Sequence, residues 1–391
     1  MNLSEAWRLR LLYFLVFCCT ASWLPILADF CKSKGVEGNE QSIILSITPL
    51  LMFLVQPLYG NLADRWGYKK CLLFSSLFAA ATYLLYLKTE SFWSVAVVTV
   101  LMSFFYNGIQ PILDSMSLQL GKKNPAFNYG SLRVAGAIGW SVTGIITGQL
   151  IDSININMIF VVSFVSMFGV FLFALGIRKE LTKEETSIEQ VVYTDFRKIL
   201  NNKQLILLLI CVFLVSTGAT AIWNFYSIYM KENGASASLV GYGLSFQGLC
   251  EIPLFYFSAR IIAKLGLRIS LLITILATAV RLLLYSWINT PTLAIPIELL
   301  HGISWSLFWV VGVEYVNKLV PAHWLATGQS LLYAAYYGAG AIAGNFWTGY
   351  LSDQAMKMSD IFLLNAGIVG ITLLLAILFI KSPKTITAKP V

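Results

Sequence analysis

"GNLADRWGYKK", residues 60–70, is a charged break between two apolar runs, 42–62 and 70–88. Each run is about as long as a helix needs to cross a bilayer. The glycines in the break permit a tight turn and close helix approach, and its charges suit adjacent helix ends. A break of the same kind, "ARIIAKLGLR" (259–268), recurs in the second half, where Gly67 falls on Gly266 and Arg65 on Lys264 at an offset of 199. A second match, "GQLID" (148–152) with "GYLSD" (349–353), has an offset of 201. Two matches at nearly one spacing point to a duplicated helical unit. Inverted or parallel repeats of this size are a feature of transporters that rock about a central site.

Composition agrees. The chain of 391 residues is 58% hydrophobic and 12% charged, about half the charge of a soluble domain. Its mean hydropathy is +0.74. Twelve spans are predicted, near 9–29, 42–62, 70–88, 93–116, 129–151, 156–177, 204–230, 238–259, 268–288, 292–315, 326–351 and 360–381. With both termini cytoplasmic, twenty Lys or Arg fall inside, five outside, and two, Arg133 and Arg281, within spans. That asymmetry sets the orientation. The net charge of +8 is therefore topogenic, and a nucleic-acid partner is excluded. The first apolar run lacks a small-residue cleavage site and reads as the first span.

The charged stretch 178–203 divides the chain into a unit 1–177 and a unit 204–391 with a short tail. The six cysteines show no metal-ligand spacing, so no metal site or disulfide framework is expected. A Walker A loop and a dinucleotide fingerprint are both missing, which argues against ATP-driven transport and against an enzyme.

Charges at membrane depth cost roughly 2.5–3.5 kcal/mol each to insert and are kept when paired or functional. Arg133 and Trp140 in "YGSLRVAGAIGW" (129–140) are two turns apart on one helix face. Asp114 lies on the preceding span, shortly after Pro111, which loosens that helix. An Asp–Arg pair beside an indole suits a flat polar solute, with Asn224 added from span seven. The bland alternative is a structural clamp at the cytoplasmic helix ends. A second cluster comprises Glu251, Arg281, Glu298 and His301. A carboxylate that alternates between apolar burial and an Arg partner binds and releases a proton. Glu251 and Glu298 are equal candidates for that carrier, and a static salt bridge is the competing reading. Asp29 is read as solvated, and Asp152 and Asp353 as capping or gating groups at outer helix ends. Gly144 with Gly148, and Gly340 with Gly344, have the four-residue spacing of close helix contact.

On these motifs the sequence resembles the major facilitator superfamily. Its loop motif between spans two and three matches Gly60, Asp64, Arg65, Gly67, Lys69 and Lys70. "QPILD", "YGSLRVAGAIGW", "SASLVGYGLSFQGLCEIP" and "LLHG" resemble the branch of lactose, phenylpropionate and nucleoside permeases. The resemblance implies sugar-binding roles for Asp114, Arg133 and Trp140, and a proton-coupling role for Arg281 and His301. The departures are Ser304 at the lactose permease's proton-carrying Glu, and Gly248 at its span-eight Glu, with Glu251 one turn on. Glu298, Ser216, Ala219 and Tyr337 replace further charged residues of that permease, so charge pairs are exchanged together.

The expectation is an all-α membrane protein of twelve helices in two pseudo-symmetric six-helix bundles. It is a monomeric, multi-pass protein of the inner (plasma) membrane. It imports a small polar organic solute with protons and needs no other cofactor. A sugar or glycoside is first, a nucleoside second and an aromatic carboxylate third. An exporter of amphipathic compounds or lipids would want a wide apolar cavity, and a receptor would want a signalling appendage.

Overall fold

The computed structural model describes residues 3–123, 129–177, 201–320 and 325–382. Every regular element among them is helical. The first part comprises α1 (Leu3–Trp23), α2 (Leu27–Ser33), α3 (Gly38–Trp66), α4 (Tyr68–Leu85), α5 (Phe92–Tyr106), α6 (Ile109–Lys123), α7 (Tyr129–Ser153) and α8 (Met158–Leu175). The second comprises α9 (Lys203–Glu232), α10 (Ala237–Leu265), α11 (Leu267–Trp287), α12 (Phe308–Leu319), α13 (Leu325–Tyr333), α14 (Ala341–Asp353) and α15 (Met358–Phe379). π-helical turns, Gly302–Leu307 and Ala334–Gly340, lead into α12 and α14. Most of the expected linker, 178–200, lies outside the described residues.

Among the described residues, nine helical segments are long and apolar enough to cross a membrane. The expected spans 42–62, 238–259 and 326–351 are helical too, but they are not among the nine. The spans 238–259 and 326–351 carry glycines, serines and amides that pack against other helices, so less of their surface is apolar. The lipid-facing helices behave oppositely. α15 exposes Ile371, Leu374, Leu378 and Phe379 while burying Val369, Thr372 and Ala376. Such a continuous apolar exterior suits acyl chains and would drive aggregation in water.

Both charged breaks fold as the repeat requires. Gly67 joins α3 to α4 and Gly266 joins α10 to α11, with φ of 84° and 77°, a region open to glycine at low cost. Each glycine N–H closes the preceding helix, on Ala63 and Ile262 carbonyls, both at 2.8 Å. Beyond the joint, Lys69 Nζ donates to the Leu175 and Ile177 carbonyls at 2.7 Å, at the end of α8. Arg268 Nη2 donates to Ile377 O at 2.8 Å near the end of α15. A cation on the last carbonyls of a helix satisfies orphan acceptors and opposes its dipole. Lys69 thus reaches the end of α8 rather than its adjacent helix end. Arg65 and Lys70 are exposed, Gly60 lies within α3, and the Asp64 side chain lies outside the described residues.

Helices before residue 178 pack chiefly among themselves, as do those after 200, and the two sets meet along α7–α10 and α3–α14. At α7–α10 a Cβ on Gly241 would collide with the Gly144 carbonyl, and one on Gly148 would sit 2.5 Å from Ala237 O. At α3–α14 a Cβ on Gly349 would strike Ser42. Each crossing is capped in trans. Asp152, at the end of α7, accepts from the Ala237 and Ser238 N–H groups that open α10, at 2.9 and 2.8 Å. Asp353, at the end of α14, accepts from Asn39 N, which opens α3, at 3.1 Å. Asp29 is not solvated as expected: it is buried and paired with Lys231 of α9. Gly340 and Gly344 instead pack within the second set, against Ser216 and Thr217 of α9.

Gly241→Val is expected to force α7 from α10, at about 1–3 kcal/mol for overpacking a tight contact. A lowered Tm, with faster maleimide labelling of Ser238→Cys in the Gly241→Val background, is the measurable outcome. Unchanged labelling would show that the crossing tolerates bulk.

Candidate functional site

The expected fourth span is two helices. The chain turns at Asn107 and Gly108, and a Cβ on Gly108 would overlap the Tyr59 ring that packs there. Pro111 then falls in the first turn of α6, where its missing N–H is harmless. Asp114 follows one turn later. Its Oδ1 accepts from Tyr13 Oη of α1 at 2.7 Å, and its Oδ2 lies 3.9 Å from Arg133 Nη1 of α7. The Arg133 guanidinium also lies 5.5 Å from the Phe17 ring centroid. Both charged side chains stay partly accessible, 24% for Asp114 and 31% for Arg133. α7 reaches α1 this closely because Gly139 lies against the Phe14 carbonyl and Gly136 against Phe17.

The second cluster is one continuous chain of polar contacts. Glu251 Oε1 lies 3.0 Å from His301 Nε2, and His301 Nδ1 lies 2.8 Å from Arg281 Nη1. Arg281 pairs with Glu298, which also accepts from Tyr285 Oη. Arginine only donates, so His301 Nδ1 must accept, and Nε2 carries the proton offered to Glu251. Glu298 is fully buried, whereas the Glu251 side chain is 19% exposed. Backbone geometry lets these groups meet. Gly302 sits against the Cys250 carbonyl, where any side chain would separate α10 from the His301 segment. Pro253 lies inside α10, two residues beyond Glu251, where it removes a helical hydrogen bond.

The two clusters are within reach of each other. The charge of Arg133 acts on Glu251, and on Tyr333 and Tyr337 across the interface. Between them lies a group of aromatic rings that sequence reasoning missed. Trp223 of α9 meets Trp140 edge-on at 6.4 Å and Trp305 at 5.0 Å. Trp305 continues to Tyr336 at 5.2 Å and to Trp309 at 5.7 Å. The spacing of Trp305 and Trp309, and the run "YAAYY" (333–337), were visible signals. What joined them was invisible, since the rings come from four separate segments. Trp140 itself spends its indole N–H on Leu244 O of α10 at 3.1 Å, leaving its ring as the free surface. Beside it, a side chain at Gly248 would hit Ser141 Oγ, so this position cannot hold the acid that the lactose permease has there. Asn224 makes its side-chain hydrogen bond away from Asp114 and Arg133. It is buried, and its amide donates to Asn345 Oδ1 at 2.7 Å, a bridge from α9 to α14 that Asn345 extends to Ser46 of α3 at 3.4 Å.

Residues 6–364 match the MFS_1 like family. The chain belongs to that family. It is a membrane-spanning major facilitator transporter and not an enzyme. Maltose permease of Geobacillus stearothermophilus is 26% identical over 369 residues, covering 93% of this chain and 92% of the permease. Uncharacterized transporter YwbF of Bacillus subtilis (strain 168) is 25% identical over 345 residues, 87% of this chain and 85% of YwbF. The crystal structure of nucleoside transporter NupG superposes with a TM-score of 0.83 at 18% identity, over 97% of this chain and all of NupG. That likeness shows the fold. Of the charged pairs described above, Asp29–Lys231 joins the two helix sets, whereas Asp114–Arg133 lies within the first set and Arg281–Glu298 and Glu251–His301 lie within the second.

Removing Arg281 would strand Glu298 in a dry site. Arg281→Ala is expected to cost about 3–5 kcal/mol. The double variant Arg281→Ala/Glu298→Gln should recover much of the lost Tm, because the uncompensated charge is gone. A double variant no more stable than Arg281→Ala would contradict the pairing.

Proposed function

We propose that this protein is a proton-coupled symporter that imports a small polar organic solute by alternating access. Its twelve spans form two six-helix lobes, 1–177 and 204–391, with both termini in the cytoplasm, and it works as a monomer in the inner (plasma) membrane. The observation that carries the reading is the unbroken polar chain from Glu251, partly exposed, through His301 and Arg281 to the buried Glu298. Glu251 is the proton carrier. Glu298 is held by Arg281 and Tyr285 and serves as their fixed counter-charge.

The coupling rule is electrostatic. While Glu251 is ionised, Arg133 bears on both it and Asp114. Protonation of Glu251 removes one of those anions and strengthens the pull of the guanidinium on a solute. Asp114 and Arg133 then grip hydroxyl groups, and the Trp140 ring covers an apolar face. Asn224 serves the site indirectly, by holding α9 against α14. With the positive-inside orientation, the end carrying Asp29, Asp152 and Asp353 is the outer face. On that reading these three acids close the outer side, and outward opening must release them together.

A sugar or glycoside is the first solute class and a nucleoside the second. Both offer polar edges for the Asp–Arg pair and a flat face for an aromatic ring. Relatives named for maltose and for nucleosides support these two classes. An aromatic carboxylate, pairing with Arg133 directly, is third. A lipid or drug exporter would leave these charged pairs without use.

In proteoliposomes, Glu251→Gln is expected to retain solute exchange and lose uphill uptake. Asp114→Asn and Arg133→Ala are expected to lose both. Maltose, uridine and phenylpropionate are the probes, first screened by thermal shift. Saturation at a hundredfold over Kd would add about 2.7 kcal/mol of stability. Uphill uptake by Glu251→Gln equal to that of the unmodified protein would remove Glu251 from the coupling role.

A further inference from the structure

Trp223 occupies the one place among the described residues where an aromatic ring touches both clusters. Its centroid is 6.4 Å from Trp140 at 85°, and 5.3 Å from the His301 ring at 72°. The indole N–H is anchored on Tyr336 Oη at 3.2 Å, and a third edge-on contact, 5.0 Å, runs to Trp305. Trp305 and Tyr336 both sit on the π-helical turns, Gly302–Leu307 and Ala334–Gly340. A π turn holds one residue more than an α turn needs, so its register can change locally without unwinding the helix, and such turns gather at functional sites. Trp223 is thus held on a rigid α-helix, α9, by partners on two adaptable segments.

We propose that Trp223 is a positioning residue that transmits solute occupancy to the proton relay. The inference rests on the symport reading above. A solute ring seated against Trp140 presses on the near edge of Trp223. The far edge bears on His301, whose imidazole must keep one orientation to meet Glu251 with Nε2 and Arg281 with Nδ1. A small tilt of that imidazole lengthens the bond to Glu251 and changes how readily the carboxylate holds its proton. The groups that face His301 or Glu251 are Arg281 and Tyr285 from α11, Glu298 from its own segment, Arg133 from α7, and Trp223 from α9. Trp223 is the member of this set without a titratable group, so it can move the relay without altering its charge.

The test compares Trp223→Leu, Trp223→Phe and Tyr336→Phe with the unmodified protein and Glu251→Gln in proteoliposomes. The probes are labelled maltose and labelled uridine. Two readouts are taken: exchange at equal solute on both sides, and accumulation driven by an imposed pH gradient. Trp223→Leu is expected to keep exchange within about twofold while accumulation falls about tenfold, the scale of a typical coupling energy. Trp223→Phe keeps an edge-on ring at His301 and should restore most of the accumulation. Tyr336→Phe frees the indole N–H and should lower accumulation in the same sense, which keeps the test informative if Trp223→Leu is unstable. Accumulation by both Trp223→Leu and Tyr336→Phe at the unmodified level would overturn the role. So would a parallel loss of exchange and accumulation that Phe at 223 does not restore. If the unmodified protein accumulates neither probe and matches Glu251→Gln, the symport reading itself fails.

Discussion

A guanidinium that cannot shed its proton sits at 3% exposure inside this protein, and much of the second helix set is arranged around it. Arg281 binds Glu298, faces His301 Nδ1 and lies over the Tyr285 ring, with its centroid 5.7 Å away. Each partner comes from a position that must stay in register with α11. The buried pair contributes little net stability relative to a well-packed apolar alternative, because desolvation offsets attraction. Its effect is on specificity: few arrangements of these helices satisfy a buried cation, so it pins the His301 segment and, through it, Glu251. An orientable imidazole between a fixed cation and a movable carboxylate is a chemical device that the fold supports at a real cost in burial.

The same economy governs the interface between the helix sets. Its two crossings are built alike, glycine against backbone and an aspartate at one helix end capping the start of the facing helix. Asp152 serves α10 and Asp353 serves α3, so each set supplies one cap to the other. These contacts are polar and end-on rather than large and apolar. Helices in lipid gain nothing from hydrophobic association with each other, so close packing and hydrogen bonds carry the contact. A contact of that kind is specific while closed, and its partners can be hydrated once it opens.

Membrane class, the repeat and the loop motif were legible in the sequence because each depends on local pattern. Apolar run length, a glycine forced to positive φ and a basic residue after it are fixed by chain-local physics, as Gly67 and Gly266 with Lys69 and Arg268 demonstrate. Family membership followed from those motifs and was borne out. The sequence also placed Asp114 near Arg133, and Arg281 near Glu298 and His301, because membrane depth leaves charges few options but to pair.

Other features depended on distances between segments that the chain does not encode locally. Pattern alone left Glu251 and Glu298 equivalent; burial separated them, one partly exposed and one sealed with Arg281 and Tyr285. Asn224 read as a polar group facing solute, yet packing turned it to Asn345. Asp29 read as a solvated helix end, yet Lys231 reaches it. The ring cluster around Trp223 was unreadable, since edge-on stacking joins residues 78 to 83 positions apart. Hydropathy and backbone preference act along the chain and were decided by the sequence. Which face of each helix meets which neighbour is set by many simultaneous packing contacts, and that only the tertiary structure decided.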